Sequence, residues 1–190
     1  SIDIYSGRQY MKLNLTARRN LELLETMRGK EKRGSLLWVL DRTQTAMGKR
    51  LMRSCVERPL LSPARISRRL NAVEELFGDA ILRDGISHQL SGVHDLERLM
   101  SRIVYGSANG RELKSLSATA EKLPPLKAAL RGAKSDLLRE IYNGMDTLSD
   151  IYKLIESAIV DEPPFSVREG GIIKQGYSAE LDALKGDMSD

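Results

Sequence analysis

Two short apolar blocks, Leu36–Leu40 and Leu51–Val56, flank a tight polar centre that carries Asp41, Thr43, Thr45 and Gly48. No other stretch constrains the chain as strongly. The pattern predicts two helices joined by a sharp corner. Ser35 is placed to cap the first helix, its hydroxyl accepting a free N–H of the opening turn. Leu36, Leu37 and Leu40 then fall on one face. Thr43 or Thr45 is placed to cap the second helix, which carries Met47, Leu51, Ser54 and Cys55 at helical spacing. Pro59 follows two residues beyond Glu57 and cannot continue that helix. Leu40 and Leu51 are expected to be core residues that hold the corner together. The same stretch holds the only Trp, Trp38, and the only Cys, Cys55.

Helical punctuation continues along the chain. An amphipathic piece, Leu13 to Met27, follows a short extended start, and Gly29 to Gly34 reads as a polar loop. Ser62-Pro63 is a cap followed by Pro at the first helical position. Ile66, Leu70, Val73 and Phe77 then give one apolar face that ends at Gly78. Asp79, Asn109, Ser135 and Asp146 are further candidate caps, and Pro124-Pro125 is expected to close a helix. After Asp161-Glu162-Pro163-Pro164 the period changes to two. Phe165 to Lys174, with Gly170-Gly171 as its turn, reads as a β-hairpin. Ser178 begins a last helix. The fold class expected is therefore all-α and multi-helical with one small β-hairpin near the C-terminus. Its expected parts are a helical body over 1–160, the hairpin over 161–177, and a helix start over 178–190.

Composition narrows the function classes. With 190 residues, 41% hydrophobic and 29% charged, the chain is an ordinary globular one. Aromatics at 5% leave Ala, Leu and Met to carry the apolar load, which favours helix over sheet. A single Cys excludes an internal disulfide and suggests a reducing, cytoplasmic setting. No run is apolar enough for a membrane span. The net charge of +4 is uneven: residues 1–70 hold 16 Lys/Arg against 6 Asp/Glu, and residues 71–190 hold 14 against 20. Such asymmetry marks either a nucleic-acid or partner face, or simply solvated helix faces.

Catalytic chemistry is not apparent. There is no Gly-x-x-x-x-Gly-Lys-Ser/Thr loop to cradle nucleotide phosphates. His88 and His94 lie six apart, whereas a metal pair on one helix wants about four. Cys55 sits on an apolar helix face, as a packing residue does. Asp41, Thr43 and Thr45 are explained by cap and corner chemistry without a substrate. No catalytic, cofactor-binding or metal-ligating residue is assigned. Phosphate contact from Lys49, Arg50 or Arg53 and docking of an acidic domain both stay open, and so does an internal pairing of Arg50 with Asp41.

The string Leu40-Asp41-x-Thr43-x-Thr45-Ala46-Met47-Gly48-x-Arg50-Leu51, followed by Pro59-Leu60, resembles the core (lever) domain of the MutS family of DNA mismatch repair ATPases. Arg18–Leu23, Arg69–Leu76, Asp95–Leu99 and Ile103-x-Tyr105-Gly106 resemble it as well. Where the family more commonly has a Trp-type residue, this chain has Cys55. The resemblance implies a mechanical role. In that family the core relays nucleotide state to a DNA-gripping clamp, and Ser178–Asp190 is similar to the root of that clamp. The whole protein is implied to be a homodimeric, DNA-dependent ATPase that uses ATP and Mg, binds mismatched double-stranded DNA and meets a MutL-type partner. The Ser start and the abrupt end fit an excised piece of such a protein. The alternatives are a free-standing helical protein-interaction scaffold, and the core of the MutS paralogue that does not repair mismatches. On this reading Asp41, Thr43, Thr45, Gly48, Arg50, Leu51, Pro59, Gly170 and Gly171 are structural motif residues.

Overall fold

A computed structural model describes residues 9–187; the extended start falls largely outside them. The described residues form α1 (Leu15–Asn20), α2 (Leu36–Leu40), α3 (Ala46–Glu57), α4 (Pro63–Gly78), α5 (Ala80–Leu90) and α6 (Leu96–Val104). They continue with α7 (Gly110–Ala129), α8 (Asp136–Gly144), α9 (Ser149–Ala158), a 3-10 turn (Val167–Glu169) and α10 (Ala179–Asp187). The chain is mostly helical, as its composition predicts. Two compact units divide it, and neither is continuous in sequence. The first comprises Ser1–Ser91 and Ala129–Met145, the second Gly92–Ala128 and Asp146–Asp190.

In the first unit local caps set the helix starts. Ser35 Oγ accepts the Trp38 N–H at 3.2 Å, and Thr45 Oγ1 accepts the Gly48 N–H at 2.9 Å. Ser62 caps α4 with Pro63 at its first position, and Asp79 both ends α4 and caps α5. The core gathers on Ala72, Leu130 and Leu138, with Leu76, Ile86 and Leu137 packed around them. Ala72 has no side chain beyond Cβ, which allows α8 to lie close to α4. The apolar row Ile66, Leu70, Val73 and Phe77 faces the other way and is exposed, with Phe77 at 81%.

In the second unit Asn109 and Glu112 form a reciprocal cap. Asn109 Oδ1 accepts the Glu112 N–H at 2.9 Å, and Glu112 Oε2 accepts the Asn109 N–H at 3.0 Å. Leu99, Leu116, Ile155, Ala158 and Ile159 make the core. Pro124 and Pro125 do not close α7, which runs through them to Ala129. Buried Leu123 and Leu126 on either side hold the helix against the loss of two N–H donors.

The β-hairpin expected over Phe165–Lys174 is not formed. Ser166 and Glu169 instead close a capping box around the 3-10 turn, with the Ser166 N–H donating to Glu169 Oε1 at 2.9 Å. The alternation of Phe165 and Val167 has no core to face; both are exposed. Pairing occurs further out, where Ile159 and Ile173 form an isolated antiparallel bridge. It is framed by Val160 N–H donating to Ile172 O at 2.9 Å and Lys174 N–H donating to Ala158 O at 2.8 Å. Gly170 and Gly171 do take positive φ, 71° and 68°, but they lead from the 3-10 turn to this bridge rather than across a hairpin.

Candidate functional site at the basic corner

The corner between α2 and α3 brings turn hydrogen bonds together with several cationic side chains. Asp41 Oδ1 accepts both the Thr43 hydroxyl at 2.6 Å and the Thr43 N–H at 3.0 Å, which folds the chain back on itself. These bonds, the hydroxyl first, hold the Asp41 carboxyl below its usual range, with Lys49 and Arg42 adding to the effect. Of the two candidate caps for α3, Thr45 takes the position. Gly48 fits because a Cβ there would meet Thr45 Oγ1 at 3.0 Å and Thr43 Cβ at 3.2 Å. The Pro59 carbonyl accepts the Met11 N–H at 2.8 Å, tying the end of α3 to the first described residues.

Leu40 and Leu51 are not core residues. They are exposed at 47% and 64%, and Val56 is the buried residue of α3. The corner is held by hydrogen bonds rather than by a leucine clasp. The loop before α2 contributes as well: carbonyls of Glu22 and Leu23 accept the Leu36 and Leu37 N–H groups at 3.0 and 2.9 Å. Ser35, 1% exposed, also donates its hydroxyl to Lys32 O at 2.7 Å. Cys55 accepts from Arg69 Nη1 at 3.5 Å, and Arg58 Nη2 donates to Ser54 Oγ at 2.6 Å.

These elements enclose a cavity of about 530 Å³. Leu24, Leu37 and Trp38 give it an apolar wall, and Lys32, Arg42, Lys49, Arg50 and Arg53 line it as well. The periodicity of the sequence marks the second helix but not this convergence, because Lys32 arrives from a loop and Arg42 from the corner itself. The advance signals are the excess of Lys and Arg in residues 1–70 and the three cations Lys49, Arg50 and Arg53 on the second helix. Gly170 and Gly171 lie in the other unit, away from the corner in sequence and in domain.

Charge divides with the units. The first holds 20 Lys/Arg against 12 Asp/Glu, the second 10 against 14. Among the described residues no three His, Cys, Asp or Glu side chains converge as a metal site, and no helix is long and apolar enough to cross a membrane.

Residues 16–187 match the family model for MutS domain III. The chain belongs to the MutS domain III family. Relatives called DNA mismatch repair protein MutS share about half its residues. That of Alkaliphilus oremlandii is 50% identical over 183 residues, covering 96% of this chain and 21% of the relative. That of Brevibacillus brevis is 51% identical over 180 residues, covering 95% and 21%. That of Desulforamulus reducens is 47% identical over 189 residues, covering 100% and 22%. The chain thus spans about a fifth of the length of these MutS relatives.

Proposed function

We propose that this chain is the core, or lever, part of a MutS-type mismatch repair ATPase. In this reading it carries no active site and links an ATP- and Mg-dependent nucleotide site mechanically to a DNA clamp, both outside this chain. The parent protein binds mismatched double-stranded DNA as a homodimer, works with a MutL-type partner and acts in the cytoplasm. The observation that carries the reading is the domain III match across residues 16–187, at half identity to proteins named for mismatch repair. The physical support is the build of each unit, helices packed on a small apolar core and fixed by capping bonds, which suits elements that move as rigid bodies.

The test is made in the full-length parent with Gly171→Val. The glycine sits at φ 68° with nothing within 4 Å of an added Cβ, so the substitution strains the backbone without a clash. It acts on the segment that returns to Ile159 and precedes α10. ATP turnover without DNA is expected to stay near normal while ATP-triggered release from a mismatched duplex slows in stopped flow. An unaltered release rate would leave this turn a passive loop and remove the relay through it.

A further inference from the structure

The cavity at the basic corner has a composition that the lever role does not require. We infer that it is a docking seat for an acidic peptide segment of a protein, one in which carboxylates alternate with an apolar side chain. This inference stands apart from the lever reading and does not depend on it.

Three observations lead there. The first is charge. Five cationic residues line the cavity against one carboxylate, Asp41, whose Oδ1 is already engaged by both Thr43 donors. Lys32, Arg42 and Lys49 form no ion pair with any described residue. Arg53 reaches Glu57 at 3.4 Å, but this is an exposed i,i+4 pair of the kind that a better-placed carboxylate displaces. The second is the wall. Trp38 stays 47% exposed beside Leu24 and Leu37, so the seat offers apolar area as well as charge. Trp and Arg are the residues that most often dominate binding at protein interfaces. The third is shape. A cavity of about 530 Å³ is of the size that takes a few side chains.

These features separate the candidate partners. A DNA duplex presents its phosphates on a convex rod and offers nothing apolar to Trp38, Leu24 and Leu37. An inorganic anion satisfies the cations and leaves the same wall wet. An acidic peptide with an intervening leucine satisfies both, because clustered Arg and Lys read its carboxylates while the apolar side chain covers the indole.

Trp38 is the only Trp in the chain, so its fluorescence reports occupancy of the seat directly. The 190-residue chain is titrated with a synthetic (Asp-Glu-Leu)4 peptide, with (Lys-Lys-Leu)4, with inorganic phosphate and with a short homoduplex, all at physiological salt. The expected result is a saturable blue shift with the acidic peptide alone, weakened tenfold or more in the double variant Arg42→Glu, Lys49→Glu. Far-UV circular dichroism checks that variant; if its helicity falls, Arg42→Gln, Lys49→Gln replaces it with the same expectation. Three outcomes overturn the inference. They are no saturable shift with the acidic peptide, an equal shift with phosphate or with the basic peptide, and tighter binding of the duplex than of the acidic peptide.

Discussion

Glu75 on α4 accepts the Ser135 N–H on Oε2 at 2.7 Å, across sixty residues of sequence. Its Oε1 takes the neighbouring Lys134 N–H at the same distance. Ser135 holds the N-cap position of α8, yet its own side chain makes no capping bond. A carboxylate from another helix therefore does the work of a local cap.

Replacing Glu75 by Ala should accordingly act like the loss of a cap, lowering stability by about 0.5–2 kcal/mol. Ser135→Ala should cost less, because it keeps both amide bonds to Glu75. Urea melts of the two variants decide the order. A larger loss for Ser135→Ala would reverse the assignment.

Acid should weaken both units for a related reason. Bonds from Ser135 and the Lys134 amide hold Glu75 below its ordinary 4.5, and bonds from Lys114 and Ser117 do the same for Glu156. A folded-state pKa lowered in this way contributes stability that is fully present above 4.5 and is lost as pH falls through the lower folded value. Melting temperature should thus be flat from neutrality to about pH 5 and fall below it. Glu156→Gln should flatten the acid limb, since Gln does not titrate there. An acid limb as steep as that of the parent chain would take Glu156 out of the account.

Buried and exposed leucines should separate cleanly. Leu138 is 6% exposed in the core around Ala72, and Leu51 is 64% exposed. Leu138→Ala should cost about 2–5 kcal/mol, whereas an exposed site should change by less than about 0.5 kcal/mol. Comparable denaturation midpoints for the two variants would contradict the described packing.

Much of this architecture was legible in the sequence, and the parts that were not share a cause. Ser35, Thr45, Ser62 and Asp79 could be read as caps because each bonds an N–H three residues away, a local event. The cap that Glu75 supplies to α8 has no such local sign. Periodicity placed Leu51 and Phe77 on apolar faces, but it carries no information on whether anything packs against them. Pro124-Pro125 and Phe165–Lys174 depart from what local rules predict, because those rules yield to burial in one case and to a capping box in the other. At the corner the turn chemistry was visible, and the cavity was not, since its cations come from a loop, a turn and a helix.

Gly110 gives a prediction of opposite sign to the usual glycine rule. Ala in place of a helical Gly ordinarily stabilises, by up to about 1 kcal/mol. Here a Cβ would meet Pro163 Cβ at 2.7 Å and Ile172 Cγ2 at 3.1 Å. Gly110→Ala should therefore destabilise by about 1–3 kcal/mol, as overpacking does. Hydrogen exchange should also quicken at the Val160 and Lys174 amides, next to the strained contact. A raised melting temperature would show that Pro163 and Ile172 yield without cost.

The interleaving of the two units has a consequence for how the chain is born. The ribosome delivers Ala72 and α4 long before Leu130, Leu138 and α8, which complete the same core. At roughly 5–20 residues per second, α4 waits several seconds for its partner. During that interval both its rows are open, the one that later meets α8 and the row Ile66, Leu70, Val73 and Phe77 that stays open in the finished unit. The second unit begins to emerge before the first can close. Nascent chains stalled before residue 129 should therefore be cut readily by protease within α4, and emergence of residues up to 145 should protect α4 from cutting.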